Sequence, residues 1–192
     1  MKTFIELGAC DFDNLDNLLD HGWRGIFVEP VPKHNMSLQH KLVGKSNAIV
    51  MPVAISNKNG YVDMDIIDIG DDTPDWMKGI SHVKVDSVAN AASGLVDRNV
   101  TEETGEKKQT ITVPCMTLDR LIKTCNITQI DFLQMDVEGH ELVILENYTW
   151  DVRPQMLKIE HKFIDDKRLA ALLKFQGYHV FYERHDLYGI LL

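Results

Sequence analysis

Short apolar runs alternate along the chain with stretches whose apolar residues recur at helical spacing, and this alternation sets the expected order of elements. Phe4 to Leu7 predicts a strand stopped by Gly8. Asp13 is placed to cap a helix running to about Leu19, because Leu15, Leu18 and Leu19 fall on one face. Gly25 to Glu29 predicts a second strand closed by Pro30. A helix follows from about Lys33 to Leu42 with Met36, Leu38 and Leu42 as its apolar markers, then a third strand from about Ala48 to Ala54. Strands alternating with amphipathic helices indicate βαβ units and a parallel sheet.

The pattern changes at residue 57. Asn59-Gly60 is a turn pair, and Tyr61 to Ile66 alternates in polarity, so an antiparallel excursion is expected. Gly70 to Gln109 is polar and irregular, with a charged patch from Glu102 to Lys108, and it is longer than an ordinary connection. Trp76 within it could stack on a ligand ring or anchor the loop.

Regular alternation resumes with a strand from Ile111 to Cys115 and a helix from about Thr117 to Thr124 that buries Leu118, Leu121 and Ile122. Ile130 to Met135 is nearly continuous in apolar character, as in a strand buried on both faces, and it ends in Asp136. A helix starts near Gly139 and passes through Leu142 and Leu145, with His140 expected to face solvent. A strand from Met156 to Glu160, a helix from Asp165 to Gln176 stopped by Gly177, and strands from Tyr178 to Glu183 and Tyr188 to Leu192 complete the order. A parallel α/β sheet that finishes in a hairpin must carry a last strand antiparallel to its neighbours.

Composition narrows the class. With 192 residues, 44% hydrophobic and 26% charged, the chain suits a single domain spanning 1–192 with its own core, interrupted by the hairpin and irregular insertion at about 57–110. Acidic residues outnumber basic ones 29 to 20 for a net charge of -9, so neither nucleic acid nor an anionic membrane is expected as a partner. Cys10, Cys115 and Cys125 form no C-x-x-C pair, which points to a reducing compartment. A carboxylate at Glu6 precedes any apolar stretch, and no run of 18 apolar residues occurs, so a cytoplasmic protein is expected.

In doubly wound sheets ligands bind at the carboxyl ends of the strands, near the point where strand order reverses. Glu29 lies 21 positions after Gly8, an offset that suits a carboxylate gripping a ribose diol. Two nucleotide-type cofactors fit that geometry, and electrostatics separates them. The pyrophosphate of NAD would meet Glu6, Asp11 and Asp13 in the first loop, and Cys10 and Asp13 stand where later glycines are needed for its close approach. S-adenosylmethionine has no phosphate, and its ammonium and sulfonium groups are attracted to such a rim.

Six blocks then carry a resemblance: Glu6-Leu7-Gly8-Ala9, Val28-Glu29-Pro30-Val31-Pro32, Val53-Ala54-Ile55-Ser56, Thr117-Leu118-Asp119-Arg120-Leu121, Met135-Asp136-Val137-Glu138-Gly139-His140-Glu141 and Ile159-Glu160-His161. In this order they resemble the FkbM-type family of S-adenosylmethionine-dependent methyltransferases. The resemblance implies a Rossmann-like class I methyltransferase sheet, mostly parallel with an antiparallel C-terminal strand and with helices on both faces. It also implies O-methylation of a hydroxyl on a sugar, glycan or secondary metabolite, so the expected partner is a small-molecule or carbohydrate acceptor.

Cofactor contacts are expected at Glu6, Gly8, Ala9, Glu29, Pro30, Ala54, Ile55, Ser56, Asp136 and Glu138. If strand order follows the class, Asp136, Glu160 and His161 lie over one crevice and are the candidates for orienting or deprotonating the acceptor. Glu141 and Glu138 stand near a helix start, where carboxylates are favoured regardless of function. Asp136, Glu138, Glu160 and His161 could also hold a divalent metal, although no spacing demands one and no metal ligand is assigned. Two other readings stay open: a cofactor-binding protein of the same fold without transfer, suggested by Phe12 standing where the family has a glycine, and an NAD-dependent oxidoreductase.

Overall fold

The computed structural model describes residues 1–10, 15–68, 81–83 and 107–192. Its main sheet has seven strands: β1 (Thr3–Leu7), β2 (Arg24–Val28), β3 (Ala48–Met51), β8 (Phe132–Met135), β9 (Met156–Glu160), β10 (Tyr178–Glu183) and β11 (Asp186–Leu191). Their order is β10-β11-β9-β8-β1-β2-β3. The chain therefore builds outward from β1 through β2 to β3 and returns to the other side of β1 with β8 and β9. β1, β2, β3, β8 and β9 are mutually parallel, whereas β11 runs antiparallel to both β9 and β10. This is the expected Rossmann-like class I sheet, with its reversal of order between β1 and β8.

Period-two alternation divides the core. Ile5, Leu7, Ile26, Val28, Leu133, Met135, Leu157 and Ile159 share one face, which packs with Leu118 and Leu121 of α3 (Leu118–Thr124), Leu142 and Leu145 of α4 (Glu141–Glu146), and Leu169 and Leu173 of α5 (Asp166–Phe175). Phe4, Phe27 and Phe132 share the opposite face with Leu19 of α1 (Asn17–Asp20), Leu38 of α2 (Pro32–Lys41) and Leu42 just beyond it. Phe4 and Phe27 meet edge to face at 5.2 Å. Thr117 and Asp165 cap α3 and α5 by accepting from the N–H groups of Arg120 and Arg168. No described helix is long and apolar enough to cross a membrane.

Several elements differ from expectation. The third strand divides: β3 ends at Met51, Pro52 supplies no ladder N–H, and the Val53 N–H folds back onto the Met51 carbonyl at 3.0 Å. Ala54–Ile55 (β4) then joins a second sheet of order β4-β7-β5-β6, with β5 (Gly60–Asp68), β6 (Ser81–Val83) and β7 (Lys107–Met116). Asn59-Gly60 does not turn one strand onto the next, because β4 and β5 both pair with β7. The polar residues at 107–109 and the segment 81–83 are strand rather than irregular, since pairing with β5 overrides their composition. Thr110 and Thr112 donate across that ladder to Asp65 and Asp63.

Met36 is 64% exposed, and Asn35 takes the buried position expected of it. The last turn is tighter than expected: Arg184, at φ +54, and His185 connect β10 directly to Asp186. Asp11, Phe12, the Asp13 cap, Trp76, Glu102 and most of the irregular segment lie outside the described residues.

Candidate active site

The crevice is built where β1 and β8 part. Gly8 donates to the Val28 carbonyl at 3.0 Å, and the Asp136 N–H donates to the Leu7 carbonyl at 3.0 Å, so the loops leaving the two strands run against each other. A Cβ on Gly8 would sit 1.8 Å from the Asp136 carbonyl oxygen, and its φ is +79. Glycine is required here both for space and for backbone conformation. Ala9 and Cys10 follow, both buried. Glu6 lies inside β1 rather than beyond it; it is enclosed and accepts from Gln134 Nε2 on β8 at 2.9 Å.

Glu29, just past β2, is buried. One carboxylate oxygen accepts from the Cys10 N–H at 2.9 Å and the other from the Val31 N–H at 2.7 Å, so the first loop is pinned to the end of β2. Asn35 Nδ2 donates to the Glu29 carbonyl at 3.0 Å, and Gln39 Nε2 donates to Asn35 Oδ1 at 2.6 Å. Reading α2 from its apolar markers misses Asn35. The available signal is an amide one turn into a helix that Pro32 starts beside Glu29. Pro30 is half-buried at this corner.

As expected, β8 lies between β1 and β9, which brings Asp136, Glu138 and Glu160 together: one carboxylate oxygen from each lies within 4.8 Å of the others. Glu138 adopts a left-handed φ of +52. Three acids this close do not all ionise together at neutral pH. Glu160 is pushed up to about 9 by burial and then by Asp136, Glu138 and Glu141. Glu138 is pushed up to about 8 by burial and then by Asp136 and Glu141. Asp136 is also raised, chiefly by burial of its carboxyl, although much of the residue stays open to solvent; a hydrogen bond with Glu160 opposes the rise. The chemistry of this donor set suits a cationic ligand, a divalent ion or a proton in transit.

These shifts make stability depend on pH. The folded Glu160 keeps its proton between the ordinary value of 4.5 and about 9, whereas the unfolded chain releases it. Its contribution to stability is therefore neutral below pH 4.5 and grows unfavourable up to about pH 9. Glu160→Gln is expected to raise the thermal midpoint at pH 9 and to leave it almost unchanged at pH 4, as read by denaturation at the two values.

His161 is not brought into the carboxylate group. Its ring lies edge-on to Tyr182 of β10, 5.3 Å between centroids, and its N–H donates to the His185 carbonyl at 2.9 Å. Pairing with the terminal hairpin fixes its backbone there, next to Glu160 at the end of β9.

Ala54 and Ile55 are buried in β4, and the Ser56 N–H donates to the Met116 carbonyl of β7 at 2.9 Å. Ser56 Oγ lies 3.0 Å from His140 Nε2. His140 does not face solvent: it is 3% exposed, and burial lowers its pKa to about 4, so the ring is neutral at neutral pH. Glu141 explains the inward turn. Its Oε1 accepts from the N–H groups of Val137, at 2.9 Å, and Gly139, at 3.4 Å, folding the loop over α4, and burial raises Glu141 to about 7. Glu141 thus braces a loop rather than merely decorating a helix start.

Comparison with known proteins follows this geometry. The family described as methyltransferase FkbM domain matches residues 6–180. No curated protein matches the chain. Among solved structures, a methyltransferase FkbM from Methylobacillus flagellatus KT superposes with a TM-score of 0.59 at 16% identity, covering 98% of this chain and 43% of that one. This chain therefore spans less than half the length of that relative. The fibrillarin pre-rRNA processing protein of Methanococcus jannaschii gives 0.48 at 13% identity over 99% and 66% of the two chains. Aeropyrum pernix fibrillarin, solved with natively bound S-adenosyl-L-methionine, gives 0.46 at 12% identity over 98% and 66%.

Proposed function

Because the chain belongs to the FkbM methyltransferase family, we propose that it uses S-adenosylmethionine to O-methylate a hydroxyl of a sugar, glycan or secondary metabolite. The observation that carries this reading is the group of Asp136, Glu138 and Glu160 at the carboxyl ends of β8 and β9, beside the point where strand order reverses. Such a group favours a cation, as the sulfonium cofactor is, and disfavours a pyrophosphate.

The residues present fit that cofactor. Gly8 lets the first loop lie against the Asp136 backbone at the mouth of the crevice, Asp136 there offers a carboxylate to an ammonium group, and Glu29 at the end of β2 is the candidate for a ribose diol. When bound, the cofactor supplies an electrophilic methyl group. The protein's part is to align the acceptor oxygen and to take its proton. Asp136 is the group we assign to that proton, because a carboxylate raised above its ordinary value is the better base and the Glu160 carboxyl lies beside it. The buried, free cysteines Cys10, Cys115 and Cys125 agree with a cytoplasmic setting.

Calorimetry with S-adenosylmethionine, S-adenosylhomocysteine and NAD tests the cofactor, and binding of NAD alone would overturn the reading. A screen of cell extracts supplied with isotopically labelled methyl donor then identifies the acceptor. Glu29→Ala is expected to weaken S-adenosylhomocysteine binding by about 10- to 100-fold, the range set by hydrogen bonds to a charged group. An unchanged calorimetric affinity would remove the ribose assignment.

A further inference from the structure

The buried contact between Ser56 and His140 has no part in the chemistry proposed above, and its placement is informative. Ser56 ends β4 and is tied through its N–H to Met116 of β7, so it belongs to the second sheet. His140 closes the loop that carries Asp136 and Glu138. The two residues are 84 positions apart in sequence, 4% and 3% exposed, and joined at 3.0 Å. Ser56 Oγ also lies 3.3 Å from Asn57 Oδ1, and in the arrangement that uses both contacts its hydroxyl donates to Asn57 and accepts from His140 Nε2–H. His140 Nδ1 is then the bare ring nitrogen, buried and without a hydrogen-bond partner among the described residues.

The loop itself is rigid from within, because Glu141 Oε1 accepts from both Val137 and Gly139. A loop braced from within and joined to a second sheet by a buried hydrogen bond loses that bond if it shifts alone, so loop and sheet are coupled. We propose that the Ser56–His140 pair is a strap through which the second sheet and the Asp136–Glu138 loop adopt their ligand-bound arrangement together, His140 acting as a positioning residue for the transfer. This rests on the proposed function, which sets the cofactor against the Asp136–Glu138 loop.

Amide hydrogen exchange of the full chain, with and without S-adenosylhomocysteine, tests it. In the wild type the ligand is expected to slow exchange not only at 137–141 but also at 53–57 and 113–117. His140→Leu and Ser56→Ala should keep the first effect and lose the second, while His140→Gln, whose amide N–H replaces Nε2–H, restores it. Equal slowing of 53–57 and 113–117 in all four proteins overturns the proposal, as does its absence in a wild type that binds the ligand. Should the wild type bind no S-adenosylhomocysteine, the functional reading fails instead, and the strap is judged without ligand. Ser56→Ala must then speed exchange at Val137 and Gly139 by about tenfold, the loss of one buried hydrogen bond, and unchanged rates would overturn it. Ser56→Ala removes a single oxygen and so keeps the test open if His140→Leu does not fold.

Discussion

Replacing Gly8 with alanine is expected to destabilise the protein by about 2 to 5 kcal/mol, the combined cost of a left-handed backbone and an overpacked contact. The methyl group would sit 1.8 Å from the Asp136 carbonyl oxygen, which is backbone and cannot rotate away, so β1 and β8 would have to part where they diverge. S-adenosylhomocysteine binding should disappear with the same change, since the displaced loop carries Ala9 and Cys10 and the displaced strand end carries Asp136. Gly22→Ala provides the control. Its φ is also +79, but nothing lies within 4 Å of the added Cβ, so only the backbone cost of about 1 to 2 kcal/mol remains. Urea unfolding of the two variants separates the terms, and equal losses would show that the contact with Asp136 does not matter.

Asp136→Ala is expected to lower the rate of methyl transfer by on the order of 10² to 10⁴, the usual contribution of a positioned base. Asp136→Asn refines the point, because the amide retains hydrogen bonding toward Glu160 and cannot accept the acceptor's proton. Its kcat should fall nearly as far as that of the alanine variant, and S-adenosylhomocysteine affinity should fall in both because the carboxylate is gone. His161→Ala should cost far less, because its ring rests edge-on against Tyr182 and it is not one of the three clustered acids. Steady-state rates on the acceptor found by the labelled-methyl screen decide between them, and an Asp136→Asn enzyme of wild-type kcat removes the assignment.

What could be read in advance followed from local patterning. The apolar runs along Phe4 to Leu7 and Ile130 to Met135 mark strands buried on both faces, and the closing hairpin gives the antiparallel strand. Asp136 and Glu160 were legible as strand-end carboxylates for the same reason. Asn35, Ser56 with His140, and Glu141 were not, because their partners are backbone groups or residues far along the chain, and polar side chains turned inward break the periodicity that reports burial. The surroundings of His161 were equally out of reach of local patterning: its N–H pairs with His185 in the hairpin turn and its ring meets Tyr182, both set by strands far along the chain. The split between β3 and β4 had a local sign in Pro52, which competes with an apolar run that continues past it.

The insertion of β11 between β9 and β10 has a consequence for synthesis. As the chain leaves the ribosome, Tyr178–Glu183 emerges before the strand that joins it to the sheet, so it has no neighbour until Asp186–Leu191 follows. β9 likewise presents an open edge to the cellular milieu during that interval. Closure of the sheet on this side is therefore made in one step, when Asp186–Leu191 pairs with β9 and β10 together. A nascent chain stalled before Asp186 exposes two unpaired strand edges, making it a substrate for chaperones in a way the finished protein is not.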